Sequence, residues 1–166
     1  MNEFDNFPMR SVGLPTGCKD LIEVLPKRGR QRTVDLPGKR VAEVEPVLVT
    51  LLEPSGDAKG FSMSSSDYQK HLSVHHRNGM FSVMALLNAN DAASVQAAID
   101  LFREAGLVLK CDQDCQVDGV PLRLLLCPLP AAAEEAAALI RAFWQKVHRV
   151  ADDARLYFNF FKKRVT

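Results

Sequence analysis

The stretch "LVLKCDQDCQVDGVPLRLLLCPL", residues 107–129, decides the fold. Two alternating runs flank Asp118-Gly119, a dipeptide suited to the positive φ angles of a two-residue hairpin turn. Such a turn leaves one register. Val117 opposes Val120, Cys115 opposes Leu122, Gln113 opposes Leu124 and Cys111 opposes Leu126. That face is largely apolar. On the other face Asp114 lands across from Arg123, an opposite-charge pair that supports the same alignment.

Upstream, "MFSVMALLN" (80–88) is a near-continuous apolar run of strand length. Such runs belong to central strands buried on both faces. Asn90 or Asp91 caps the helix that follows, where Val95, Ile99 and Phe102 recur at helical spacing and Gly106 takes the C-terminal position. Downstream, "PLPAAAEEAAALIRAFWQKVHRVADD" (128–153) predicts a long helix. Glu134 and Glu135 lie in its first turn and Lys146, His148 and Arg149 near its end, as the helix dipole favours. Ile140, Phe143, Val147 and Val150 form its apolar stripe. The aromatic "ARLYFNFF" (154–161) predicts a strand. Ala154, Tyr157 or Phe158, and Phe161 also keep helical spacing, so a continued helix is the alternative.

Strand, helix, strand, strand, helix, strand over about 80–161 predicts an α/β fold of the α+β type. It is the ferredoxin-like, split βαβ pattern, with both helices on one face of an antiparallel sheet. N-terminal elements would extend it. "VLVTLL" (47–52), between Pro46 and Pro54, reads as a strand. "SSSDYQKHLSVHH" (64–76) admits a helix capped by Ser65 or Ser66, or a strand with Leu72 and Val74 on one side; the helix is preferred. "TGCKDLIEVLP" (16–26) reads as a short helix within an N-terminal arm, residues 1–40. Residues 41–166 then form one domain.

The composition is that of an ordinary globular chain: 166 residues, 47% hydrophobic and 25% charged, with a net charge of +1. The charge is uneven. Residues 1–40 hold eight basic and five acidic side chains, residues 41–106 four and eight, and residues 107–166 nine and seven. That pattern favours directed binding over general stickiness. No secretory or membrane segment is visible, which makes a cytoplasmic protein the expectation and the cysteines thiols.

Candidate metal sites fail on spacing. Cys111 and Cys115 sit four residues apart on a strand, about 13 Å, too far to share one zinc ion or a disulfide. His71 and His75 would share a helix face, but no third ligand follows. The acids Asp112, Asp114 and Asp118 lack the glycine and glutamate of a calcium loop. Nucleotide-loop and nucleophile-elbow signatures are missing. No cofactor, metal or catalytic residue is therefore nominated.

Two binding features stand out. The first is "PKRGRQRTVDLPGKR" (26–40), in which Lys27, Arg28, Arg30, Arg32, Lys39 and Arg40 accompany a single acid. Lys162, Lys163 and Arg164 add a second basic patch. Basic arms bind phosphates by counterion release, or dock on acidic protein surfaces. The second is the sheet face away from the helices. It is expected to carry Ser82, Met84 and Leu86, then Lys110, Asp112, Asp114, Arg123, Leu125 and Cys127, then Arg155, Tyr157, Asn159 and Phe161. Met84, Leu86, Leu125, Tyr157 and Phe161 make it apolar enough to be covered, by N-terminal elements or by a second molecule. Base stacking would need aromatic residues on the central strands, which are missing.

The expected function is a non-enzymatic binding or assembly subunit of a larger complex, or a homo-oligomer. Nucleic acid or an acidic protein surface is the expected partner, and no membrane is implied. The alternative is a small-molecule-binding regulatory domain, or an enzyme, with its site near Asn88, Asn90 and His71 or His75.

Overall fold

The computed structural model describes residues 36–53, 58–67, 69–77 and 79–162. They form β1 (Leu36–Arg40), α1 (Val44–Leu52), β2 (Ala58–Ser65), β3 (His71–Arg77), β4 (Met80–Asn88), α2 (Ala92–Glu104), β5 (Cys111–Val117), β6 (Val120–Pro128), α3 (Ala133–Lys146) and β7 (Arg155–Lys162). A 3₁₀ turn at Val41–Glu43 leads into α1. The strands make one open antiparallel sheet in the order β1-β7-β2-β3-β4-β6-β5. The expected short helix at 16–26, Cys18 and most of the basic arm lie outside the described residues.

The β5–β6 hairpin has the register that its turn requires. Val117 pairs with Val120, Cys115 with Leu122, Asp114 with Arg123 and Cys111 with Leu126. Asp118 and Gly119 both have positive φ, 49° and 79°. Arg123 donates to Asp112 and Asp114. The strand at 80–88 and the helix after it are also as expected. Asp91 caps α2 by accepting from the Ser94 N–H at 3.1 Å. Residues 155–162 are strand, which settles the alternative at the C-terminus.

Three expectations are corrected. Residues 47–52 belong to a helix, not a strand. Val44, Leu48 and Leu52 fall on one face at intervals of four and are buried, and Pro46 is tolerated in the first turn, where no N–H is needed. Residues 71–77 form a strand, not a helix. Leu72 and Val74 face the helices, and this strand lies between β2 and β4. Two flanking ladders outweigh the local helical signal. The helix predicted over 128–153 ends at Lys146, so His148 and Arg149 sit in its exit turn.

All three helices pack on one face of the sheet, around Phe61, Met63, Leu72, Val74, Val83, Ala85, Leu125, Cys127, Leu156 and Phe158. The hairpin's orientation is the fourth correction. Ala85 pairs with Leu125 and Val83 with Cys127. Leu125 and Cys127 therefore face the helices, and Asp112, Asp114 and Arg123 share their side. The second face instead carries Met84, Leu86, Leu122, Leu124, Leu126, Cys111 and Cys115. The turn fixes how β5 meets β6, while the pairing of β6 with β4 decides which side meets the helices.

Candidate ligand-binding cleft

A cleft of about 290 Å³ opens where β4 ends. Three chain segments build it. Gln69, Lys70 and His71 come from the β2–β3 connection, Leu86, Leu87, Asn88, Asp91 and Ser94 from the passage of β4 into α2, and Val147, His148 and Arg149 from the exit of α3. Leu87 and Val147 are buried floor residues, while Asn88, Asp91 and Arg149 are exposed at the rim.

Each wall has a local cause. In the β2–β3 connection the Asp67 carboxylate accepts from the Ser65 hydroxyl and the Gln69 N–H, closing a tight loop that ends at Lys70. The Ser65 bond, more than any other contact, holds Asp67 below the usual carboxylate range. At the head of α2, Asn88 Oδ1 accepts from the Asn90 N–H at 2.9 Å. Asp91 accepts from both the N–H and the hydroxyl of Ser94, which lowers its pKa and keeps it ionised.

The third wall is the least regular. The chain leaves α3 with the His148 N–H on the Phe143 carbonyl and the Val150 N–H on the Trp144 carbonyl. Arg149 between them has φ 54°. A non-glycine residue in this region is uncommon and costs about 1–3 kcal/mol.

Two hydrogen bonds tie the first and third walls. Lys70 Nζ donates to the His148 carbonyl, and His148 Nε2 donates to the His71 carbonyl at 2.9 Å. The His148 ring packs against Phe143 and Trp144 and is buried, which lowers its pKa to about 4. His148 is therefore neutral at pH 7. Among the described residues the charged groups of the cleft are Lys70, Arg149 and Asp91.

The structure brings His71 and Asn88 into this cleft, as the alternative site reading expects, but sets Asn90 and His75 apart from it. His75 is buried on the second face of the sheet, between Gly60 and Ser82, and burial lowers its pKa to about 4. On a strand, His71 and His75 are about 13 Å apart, too far for one ion. Among the described residues no three His, Cys, Asp or Glu side chains are placed to hold a metal.

Lys39 and Arg40 lie on β1 at the sheet edge, where Arg40 pairs with Arg155 and the Arg155 guanidinium donates to the Gly38 carbonyl. Lys27, Arg28, Arg30, Arg32, Lys163 and Arg164 lie outside the described residues, as do the side chains of Lys162 and Phe161. Met84 is buried and Leu86 half-buried on the second face, whereas Leu125 is fully buried beneath the helices. Tyr157 is half-buried, with its ring against Gly38. No helix among the described residues is long and apolar enough to cross a membrane.

Lys70, Ser94, His148 and Arg149 carry no local sequence signal of a site. They meet only because three connections converge. Comparison with family models, curated proteins and solved structures finds no match for this chain.

Proposed function

We propose that this chain is a binding domain that holds a small polar molecule in the cleft at the end of β4. One observation carries the reading: separate segments place Lys70, Asn88 and Arg149 around a partly apolar floor. A concave site with few convergent polar groups is the usual form of a ligand pocket. The position also suits a sensor. Ligand contacts there would bear on the β2–β3 connection and the exit of α3, the segments already joined through Lys70 and His148. Two groups with acid–base potential are occupied structurally, His148 by the His71 carbonyl and Ser94 by Asp91, which favours binding over catalysis.

The sheet order supports a ferredoxin-like reading. β4 and β5 run parallel with β6 between them, joined by α2, which is one split βαβ unit. The β2–β3 hairpin then occupies the space between β4 and β7, which neighbour each other in the simple four-stranded form.

Amide shifts in the full-length chain, recorded against a set of small polar fragments, test the reading. At least one fragment should move Lys70, Asn88 and Arg149 together. Asn88→Trp, at an exposed rim position, should abolish that response and leave the rest of the spectrum in place. A set that never moves these amides would remove the reading.

A second reading keeps the basic arm as a nucleic-acid or acidic-protein contact within a larger assembly. Lys39, Arg40 and Arg155 clustered on the β1–β7 edge favour it. It requires affinity for nucleic acid that collapses as salt rises and falls when the six arm cations become glutamine.

A further inference from the structure

We infer that the cleft at the end of β4 is built for an oxyanion, a carboxylate or phosphate group carried by a compact ligand. This rests on the cleft being a binding site, and adds the chemistry of what it binds. Three groups present donors. The Lys70 ammonium is oriented by one hydrogen bond, to the His148 carbonyl, and keeps two further N–H groups for a ligand. Asn88 turns its carbonyl oxygen to the Asn90 N–H, which leaves its NH₂ group as the end available to a ligand. Neither Lys70 nor Arg149 forms an ion pair within 4.0 Å among the described residues.

The carboxylate of the cleft and two of its carbonyls are already engaged. Asp91 is its only carboxylate among the described residues, and both oxygens accept from Ser94 at 3.1 and 2.7 Å. The His71 carbonyl accepts from His148 Nε2, and the His148 carbonyl accepts from Lys70. With His148 neutral, two cations face one anion. The site thus offers surplus donors and surplus positive charge. A bound oxyanion fits both, since charge-assisted bonds from Lys and Arg to such groups are the strong ones.

Arg149 supplies an independent handle. At φ 54° glycine would be relaxed there and arginine is not. The exit turn of α3 therefore keeps a strained arginine at the mouth of the cleft where a smaller residue would serve the backbone better. Strain of this kind clusters at binding and active sites.

Titration of the full-length protein with inorganic phosphate and, separately, acetate tests this, with methylammonium chloride and formamide as probes of other chemistry. At least one oxyanion should shift the amides of Lys70, Asn88 and Arg149. Lys70→Met and Arg149→Gly should each weaken that binding tenfold or more, and Arg149→Lys should weaken it less. Arg149→Gly should also raise the melting temperature in anion-free buffer, so its loss of binding is not a loss of fold. Phosphate alone responding would assign a phosphate group, and acetate alone a carboxylate. If Arg149→Gly and Lys70→Met bind as tightly as the parent, or if oxyanions shift only amides outside the cleft, the inference is overturned. A response to methylammonium or formamide without either oxyanion overturns it but leaves the cleft a binding site. Silence from all four probes at the cleft overturns both.

Discussion

The two faces of the sheet are both shielded from water but differ in composition. Beneath the helices, Phe61, Met63, Leu72, Val74, Leu156 and Phe158 continue one apolar layer from β3 through β2 to β7. On the second face the apolar cluster among the described residues belongs to β4, β5 and β6. There β2 and β3 instead carry Ser62, Ser64, Ser73 and His75, none more than 5% exposed. Alternation along β2 and β3 thus separates large apolar groups from small polar ones, while along β4 and β6 both sides are apolar. The helix-covered face draws its stability from apolar volume. The β2–β3 part of the second face carries small polar groups instead, and at Gly60 the two strand backbones lie too close for a side chain.

The largest effect should come from the helix-covered face. Phe158 is 1% exposed and its ring lies 6.0 Å from that of Phe61. Phe158→Ala should cost about 3–5 kcal/mol by urea denaturation, from lost burial and the cavity left. A cost under about 1 kcal/mol would mean that this face is not the main core.

Next comes the close approach of β2 and β3 at Gly60. Gly60 has φ 142°, and a Cβ there would lie 2.1 Å from the Val74 carbonyl oxygen. Gly60→Ala should destabilise by about 3 kcal/mol or more, although it adds a single methyl group. Tolerance of alanine would break the claim that β2 and β3 approach too closely there for a side chain.

Acid should act on both His75 and His148, whose pKa values burial lowers to about 4. The unfolded chain takes up their protons first. Stability is therefore complete above the ordinary histidine value and is lost as pH falls toward 4. Each histidine should contribute about 1.4 kcal/mol per pH unit within that window. Denaturation midpoints at pH 7.5, 6 and 5 measure the slope, and His75→Gln should roughly halve it. A flat profile would place both rings in water.

The smallest effect has the opposite sign. Ser64 is 2% exposed, and its hydroxyl has no hydrogen-bond partner among the described residues. Ser64→Ala should be neutral or stabilising by up to about 1 kcal/mol, since an unsatisfied buried group is removed. A loss above 1 kcal/mol in thermal melts would reveal a polar role.

The contrast also separates what was legible from what was not. The β5–β6 hairpin was readable to the residue because Asp118-Gly119 carries its own conformational demand. The β2–β3 hairpin lacks such a turn. Its connection is closed by Asp67 side-chain bonds, and Leu72 and Val74 fit helix or strand equally well. In α1, the β-branched Val47 and Val49 favoured a strand, until burial of Val44, Leu48 and Leu52 decided for a helix. Of the cleft, only His71, Asn88 and the capping residue Asp91 were singled out. Lys70 and Arg149 look like ordinary surface cations in the linear chain.

By itself the sequence determined the elements whose signals are short-range: the tight turn at Asp118-Gly119, the cap at Asp91, the apolar run of β4 and the core of α3 at Ile140 and Phe143. Turn geometry and capping act over a few residues, so the residues that state them also satisfy them. The tertiary structure alone decided which side of the β5–β6 hairpin meets the helices, where β2 and β3 enter the sheet, and that Lys70, Asn88 and Arg149 share a cleft. Those outcomes depend on pairing and packing between segments tens of residues apart, whose energies no local window contains.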